Sequence, residues 1–188
     1  MNASEANKAN TAGRLAPVLI VVVGLLLFAA TFRLGGGATT AGGPFTPSNE
    51  RATLRPFALM DLDGRTWDLA AQRGKVVLVN YWATWCPPCR QETPALVRVA
   101  NELRPRGLEV VGISLDGGGP GVVRDFVKSY DVPYPMLMAA DEPDVAQGVD
   151  SIPLTLLLDR RGRLAKSYVG AVRESALRAD IEQLLAER

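Results

Sequence analysis

Hydrophobic residues along the chain change their spacing, and the changes mark out its elements. The longest apolar run is Leu15 to Phe32, eighteen residues without a charge. Apolar side chains there occupy every face of a helix rather than a stripe. At 1.5 Å per residue the run spans roughly 27 Å, close to the ~30 Å of a bilayer's hydrocarbon core. Lys8 and Arg14 precede it against a single acid, Glu5. That bias keeps residues 1–14 in the cytoplasm and sends the remainder across. A transmembrane anchor over 15–32 is the expectation, with a signal sequence cleaved near Ala38–Ala41 as the alternative. Residues 33–50 are rich in Gly, Thr and Pro, have no period, and read as a flexible linker.

From Arg51 to Arg188 the period alternates between two and 3.6. Phe57 to Leu62 alternates weakly, and Asp63-Gly64 signals a hairpin into Thr66–Leu69. Val76 to Trp82 is almost continuously β-branched and aromatic, as a strand covered on both faces should be. A helix is expected from Cys86 to Leu103, with Leu96, Val99, Ala100 and Leu103 at i, i+3, i+4 and i+7 and a kink at Pro94. Leu108–Leu115 reads as a second buried strand. A helix follows with Val123, Phe126, Val127 and Tyr130 on one face, then a short strand near Tyr134–Met138 and a short helix near Pro143–Val149. Leu154–Leu158 and Leu164–Val169 flank Arg161-Gly162, a second hairpin. A last helix turns Leu177, Ile181, Leu184 and Leu185 inward. This βαβ core followed by a hairpin and a helix predicts one domain, a mixed sheet with helices on both faces.

Composition changes the picture mainly by what is missing. The net charge is +1, which leaves no electrostatic footprint for nucleic acid. The absence of histidine removes His-based triads, His metal sites and imidazole acid–base chemistry. Two cysteines cannot build a multi-bridge scaffold. Both lie in Trp85-Cys86-Pro87-Pro88-Cys89, at the junction of a buried strand and a helix. There the first thiol meets the positive end of the helix dipole, and the second lies one turn along. Zinc would need further Cys or His ligands, and a c-type haem would need a histidine where Arg90 stands. A purely structural bridge closing so small a loop would add little stability. The pair therefore reads as a redox site, with no metal and no cofactor required.

The motifs resemble those of the thioredoxin superfamily, and more closely the membrane-anchored TlpA/ResA-like thiol–disulfide oxidoreductases of bacterial envelopes. The likeness rests on Phe57–Gly64, on Gly74–Cys89, and on Ile152–Asp159 before Arg161-Gly162. It implies a thioredoxin fold with an N-terminal β-hairpin extension. It also implies Cys86 as an exposed attacking thiol, Cys89 as the resolving thiol, and Pro153 as a cis-proline beside them. A cis Ile152–Pro153 bond would present the backbone of Ile152 to an extended substrate. Trp85 is expected beside Cys86, Trp67 and Trp82 in the core, and Arg90 as a solvated cation. Glu92 lies one helical turn beyond Cys89, and the resemblance makes it an acid that assists proton transfer. Asn80 stands where cytoplasmic thioredoxins carry a buried acid.

Pro87 and Pro88 lack an N–H, so a Cys86 thiolate loses two donors at the helix start. A less stabilised thiolate favours the disulfide form, hence a reductant. The resemblance then implies a membrane thiol-reductase as electron donor and oxidised proteins as substrates, among them apocytochrome c and copper-site assembly proteins. The catalytic domain would sit on the periplasmic side of the cytoplasmic membrane. A Cu(I)-binding metallochaperone and a thiol peroxidase are the alternatives on the same fold.

Overall fold

The structure, a computed structural model, describes residues 43–187. Residues 1–14, expected in the cytoplasm, and the anchor expected at 15–32 lie outside the described residues. Among the described residues no helix is long and apolar enough to cross a membrane.

Strand β1 (Ala58–Met60) pairs antiparallel with β2 (Thr66–Asp68), Leu59 opposite Trp67, through the hairpin expected at Asp63-Gly64. Gly64 takes φ 78°, which its lack of a Cβ permits. Strand β3 (Val76–Trp82) is buried at all seven positions and leads into helix α1 (Pro87–Leu103), which runs unbroken through Pro94. Then follow β4 (Leu108–Ser114), α2 (Pro120–Ser129), β5 (Met136–Met138), β6 (Leu154–Leu158), β7 (Leu164–Val169) and α3 (Glu174–Ala186). A 3-10 turn, Pro143–Ala146, stands where the short helix near Pro143–Val149 is expected, and another, Ala139–Asp141, precedes it.

The main sheet has the order β5-β4-β3-β6-β7. β3, β4 and β5 are parallel, and β6 and β7 are antiparallel additions, giving a mixed thioredoxin-like sheet. Alternate strand residues feed two cores. Val76, Leu78, Trp82, Leu108, Val110 and Leu157 meet residues from α1, α2 and α3 on one face. Val77, Val79, Tyr81, Val111, Ile113 and Leu156 meet the β1–β2 hairpin and the segment near Val145 on the other. The expected helices on both faces are therefore corrected: among the described residues all three α-helices share one face, and the second carries the 3-10 turn Pro143–Ala146. Strands β3, β4 and β5 step in the same direction across the sheet, so two right-handed crossovers carry α1 and α2 to the same side.

The expected linker also needs correction where it enters the described residues. From Gly43 the chain lies along β7. The N–H of Gly43 donates to the Ser167 carbonyl at 3.1 Å and that of Thr46 to Ala165 at 2.8 Å. Thr53 bridges Arg163, and Phe45 packs against the first core. Arg51 is buried, 3.3 Å from Asp159 and 2.5 Å from Glu187. β7 is the outermost strand of its sheet, and its unpaired backbone groups are what this aperiodic segment satisfies.

Candidate active site

The end of β3 delivers the chain through Ala83-Thr84-Trp85 to Cys86, which is the N-cap of α1. Pro87 and Pro88 fill the first helical positions, where a missing N–H leaves no intrahelical bond unmade. Cys86 and Cys89 form a disulfide with their Cα atoms 5.3 Å apart. An N-cap side chain draws on the N–H of the second or third helical residue. Pro88 has none, so Cys86 Sγ accepts one bond, from the Cys89 N–H at 3.3 Å.

The sulfurs are less accessible than expected. Cys86 is 3% exposed and Cys89 1%, whereas Trp85 is 65% exposed. The expectation of an exposed Cys86 is corrected for this oxidised state, because the bridge turns its sulfur inward onto Cys89 in the helix. Trp67 and Trp82 lie in the core. Arg90 is not a simply solvated cation: it donates to the Thr84 carbonyl at 3.2 Å, with its guanidinium 5.6 Å from the ring centre of Phe126 and 5.8 Å from that of Tyr130.

One turn along α1 from Cys89 lies a buried polar group. Glu92 sits on the inner side of α1, three residues from Cys89, with both carboxyl oxygens engaged. Asn80 Nδ2 donates to Oε1 at 2.9 Å and the Val172 N–H to Oε2 at 3.2 Å. Asn80 also donates to Thr155 Oγ1 at 3.1 Å, joining β3, β6 and α1. Loss of water pushes the Glu92 carboxyl up to about 7, against the pull of the two hydrogen bonds. Burial also raises the Tyr134 hydroxyl, with the Glu92 charge adding to the effect. A carboxyl poised there can take up or release a proton near neutral pH.

The Ile152–Pro153 bond is cis. It immediately precedes Leu154, which pairs with Tyr81 one residue before the end of β3. Ile152 packs against both cores. Cys86, Cys89, Trp85, Pro87, Pro88, Ile152 and Pro153 thus gather at one end of the sheet, with Glu92 behind them. Three partners escaped the sequence reading. Val172 reaches Glu92 through the turn after β7, and Thr155 reaches Asn80, Glu92's partner, through the register of β6; neither leaves a local signal. Asp116, in Leu115-Asp-Gly-Gly-Gly119, reads as an ordinary loop acid, yet it is buried against Thr84.

A redox-active C-x-x-C bridge at the helix following the central strand of such a sheet, with a cis-proline on the neighbouring strand, defines a thioredoxin-like thiol–disulfide oxidoreductase. The chain belongs to the AhpC/TSA family, whose model matches residues 51–183. It is 30% identical over 161 residues to the thiol–disulfide oxidoreductase ResA of Bacillus subtilis (strain 168), covering 85% of this chain and 84% of that protein. With ResA of Geobacillus thermodenitrificans (strain NG80-2) it shares 32% identity over 176 residues, 89% of this chain and 95% of the relative. Among solved structures, a DsbF homologue from Corynebacterium diphtheriae superposes with a TM-score of 0.68 at 27% identity, covering 79% of this chain and 96% of that one.

Proposed function

We propose that the protein is a reductant of protein disulfides acting outside the cytoplasm. The observation that carries this reading is the proline pair at the start of α1, which leaves the Cys89 N–H as the bond to Cys86 Sγ. A thiolate with so few donors is a poor resting state, so electrons move outward from the dithiol to a substrate disulfide.

In the cycle, the Cys86 thiolate attacks one sulfur of the substrate disulfide and the other leaves as a thiolate that takes up a proton. Cys89 then loses its proton and attacks Cys86 Sγ, releasing the second substrate sulfur and closing the protein disulfide. Two electrons pass to the substrate, and two protons accompany them. Glu92 receives the proton from Cys89, one turn away along α1. Trp85, Ile152 and Pro153 supply the face on which an extended substrate segment rests. A membrane thiol-reductase returns two electrons to the bridge, and the segment 15–32 holds the domain at the bacterial cytoplasmic membrane. By this chain's resemblance to ResA-like proteins, apocytochrome c and copper-site assembly proteins are its substrates.

A Cys89→Ser variant in its native envelope should accumulate mixed disulfides through Cys86 with proteins carrying paired cysteines. The wild-type potential should fall nearer thioredoxin's roughly −270 mV than the roughly −120 mV of a strong oxidant such as DsbA. A potential at the oxidising end would overturn the assigned direction.

A further inference from the structure

Thr84, two residues before Cys86, is held on opposite sides by opposite charges. Asp116 lies just past β4 and is 3% exposed. Its Oδ2 accepts the Thr84 N–H at 2.9 Å and its Oδ1 the Thr84 hydroxyl at 2.6 Å. The Ser114 hydroxyl donates to Oδ2 at 2.8 Å, and the Asp116 N–H returns to that hydroxyl at 3.1 Å. Among the described residues no cation is paired with it. The other buried aspartate, Asp159, is met by Arg51 at 3.3 Å and Arg163 at 2.7 Å. An acid buried with neutral donors alone is uncommon, because desolvation of the charge is then offset by hydrogen bonds only. On the acceptor side of Thr84, the Arg90 guanidinium donates to its carbonyl at 3.2 Å while lying over Phe126 of α2 and Tyr130 at that helix's C-terminal end.

The two charged residues therefore join the loop ahead of Cys86 to β4 on one side and to α1 and α2 on the other. Both charges are anchored on Thr84, two residues before the sulfur on which a thiolate forms when the bridge opens. A carboxylate there disfavours the thiolate, and a guanidinium favours it. We infer that Asp116 and Arg90 are an opposed pair of positioning residues that fix the Cys86 loop and set the dithiol–disulfide equilibrium, Asp116 toward the disulfide and Arg90 toward the dithiol. This rests on the thiol–disulfide exchange of the preceding section and is independent of its direction in the cell.

The test is equilibration of the full chain with glutathione at pH 7. The protein disulfide and two glutathione thiols give the protein dithiol and glutathione disulfide, with two electrons and two protons supplied by the two thiols. Asp116→Asn keeps the shape and an acceptor for Thr84 but removes the charge. It should move the equilibrium constant toward the dithiol by up to roughly tenfold, the full factor per unit of thiol pKa being reached where Cys86 is ionised. Arg90→Gln should move it the other way by a smaller factor, since solvent screens an exposed cation. Thr84→Val removes one hydrogen bond and leaves both charges, so it measures loosening of the loop alone. Shifts of the same sign in the two charge variants, or an Asp116→Asn shift no larger than that of Thr84→Val, would overturn the inference. Should Asp116→Asn fail to fold, Arg90→Gln still decides: an unchanged constant, or one moved toward the dithiol, refutes the pairing. Failure of the wild type to exchange with glutathione would instead refute the cycle on which the inference rests.

Discussion

Replacing Glu92 with glutamine should change how stability depends on pH more than stability itself. In the unfolded chain this carboxyl titrates near its ordinary 4.5; in the folded protein, burial pushes it up to about 7. Below pH 4.5 the group is protonated in both states and no charge is buried. Between pH 4.5 and about 7 the unfolded chain releases a proton that the folded protein retains, so stability falls as pH rises. Above about 7 both states are ionised, and the penalty stays constant. At 1.36 kcal/mol per pH unit, the gap is worth about 3 kcal/mol. The Glu92→Gln variant would carry no such penalty. The single carbonyl of the new amide, however, could accept from Asn80 Nδ2 or from the Val172 N–H but not from both, and the orphaned donor costs ~1–3 kcal/mol at every pH. Urea unfolding of the two oxidised proteins, followed by the buried tryptophans, should show the variant weaker at pH 4. It should gain about 3 kcal/mol on the wild type by pH 8. Both proteins share every other titrating group, so the difference between their curves isolates position 92. A difference that stays flat from pH 4 to 8 would refute the assignment of a buried, shifted carboxyl.

Two further outcomes follow from the same geometry. Pro88→Ala restores an N–H at the second helical position, within the N-cap's usual reach, and Pro87→Ala restores one at the first. A charge-assisted bond of ~1.5–3 kcal/mol to the Cys86 thiolate would raise the potential by roughly 30–60 mV, with Pro88→Ala the stronger; glutathione equilibration would expose an unchanged or more negative value. A chain starting at Asn49 loses Phe45, two backbone bonds to β7, and the Thr46 carbonyl that accepts from Arg51 Nε at 2.9 Å. It should be ~2–4 kcal/mol less stable to urea than one starting at Gly43, and equal midpoints would return residues 43–48 to the status of a tether.

The strands were legible because burial writes directly into residue choice. Val76–Trp82 carries β-branched and aromatic side chains on both faces, and all seven are buried. The hairpins announced themselves through Asp63-Gly64 and Arg161-Gly162, and the C-x-x-C through its place between strand and helix. What stayed hidden depends on register or on partners distant in sequence. Gly43–Glu50 has no period because it contributes isolated bonds to one strand rather than a paired ladder. Arg90 reads as a surface charge until α2 brings Phe126 and Tyr130 beneath it. Asp116 looks like a loop residue until β4, lying parallel to β3, sets it beside Thr84. The shared face of α1 and α2 follows from two crossovers of the same hand once the strand order is known, and that order is not written in the sequence.

The N-terminal stretch of the domain touches both margins of the main sheet. Residues 43–54 run along β7, and further on Asp61 bridges Leu137 while the Leu62 N–H donates to the Met136 carbonyl of β5. An open margin is a template onto which a foreign strand can zip, and a thiol–disulfide oxidoreductase acting on other proteins meets such strands. With both margins already occupied by its own chain, the sheet is guarded against that kind of capture. Client polypeptides are left to approach across the ends of the strands, where the bridge lies, and can depart once their sulfurs have been exchanged.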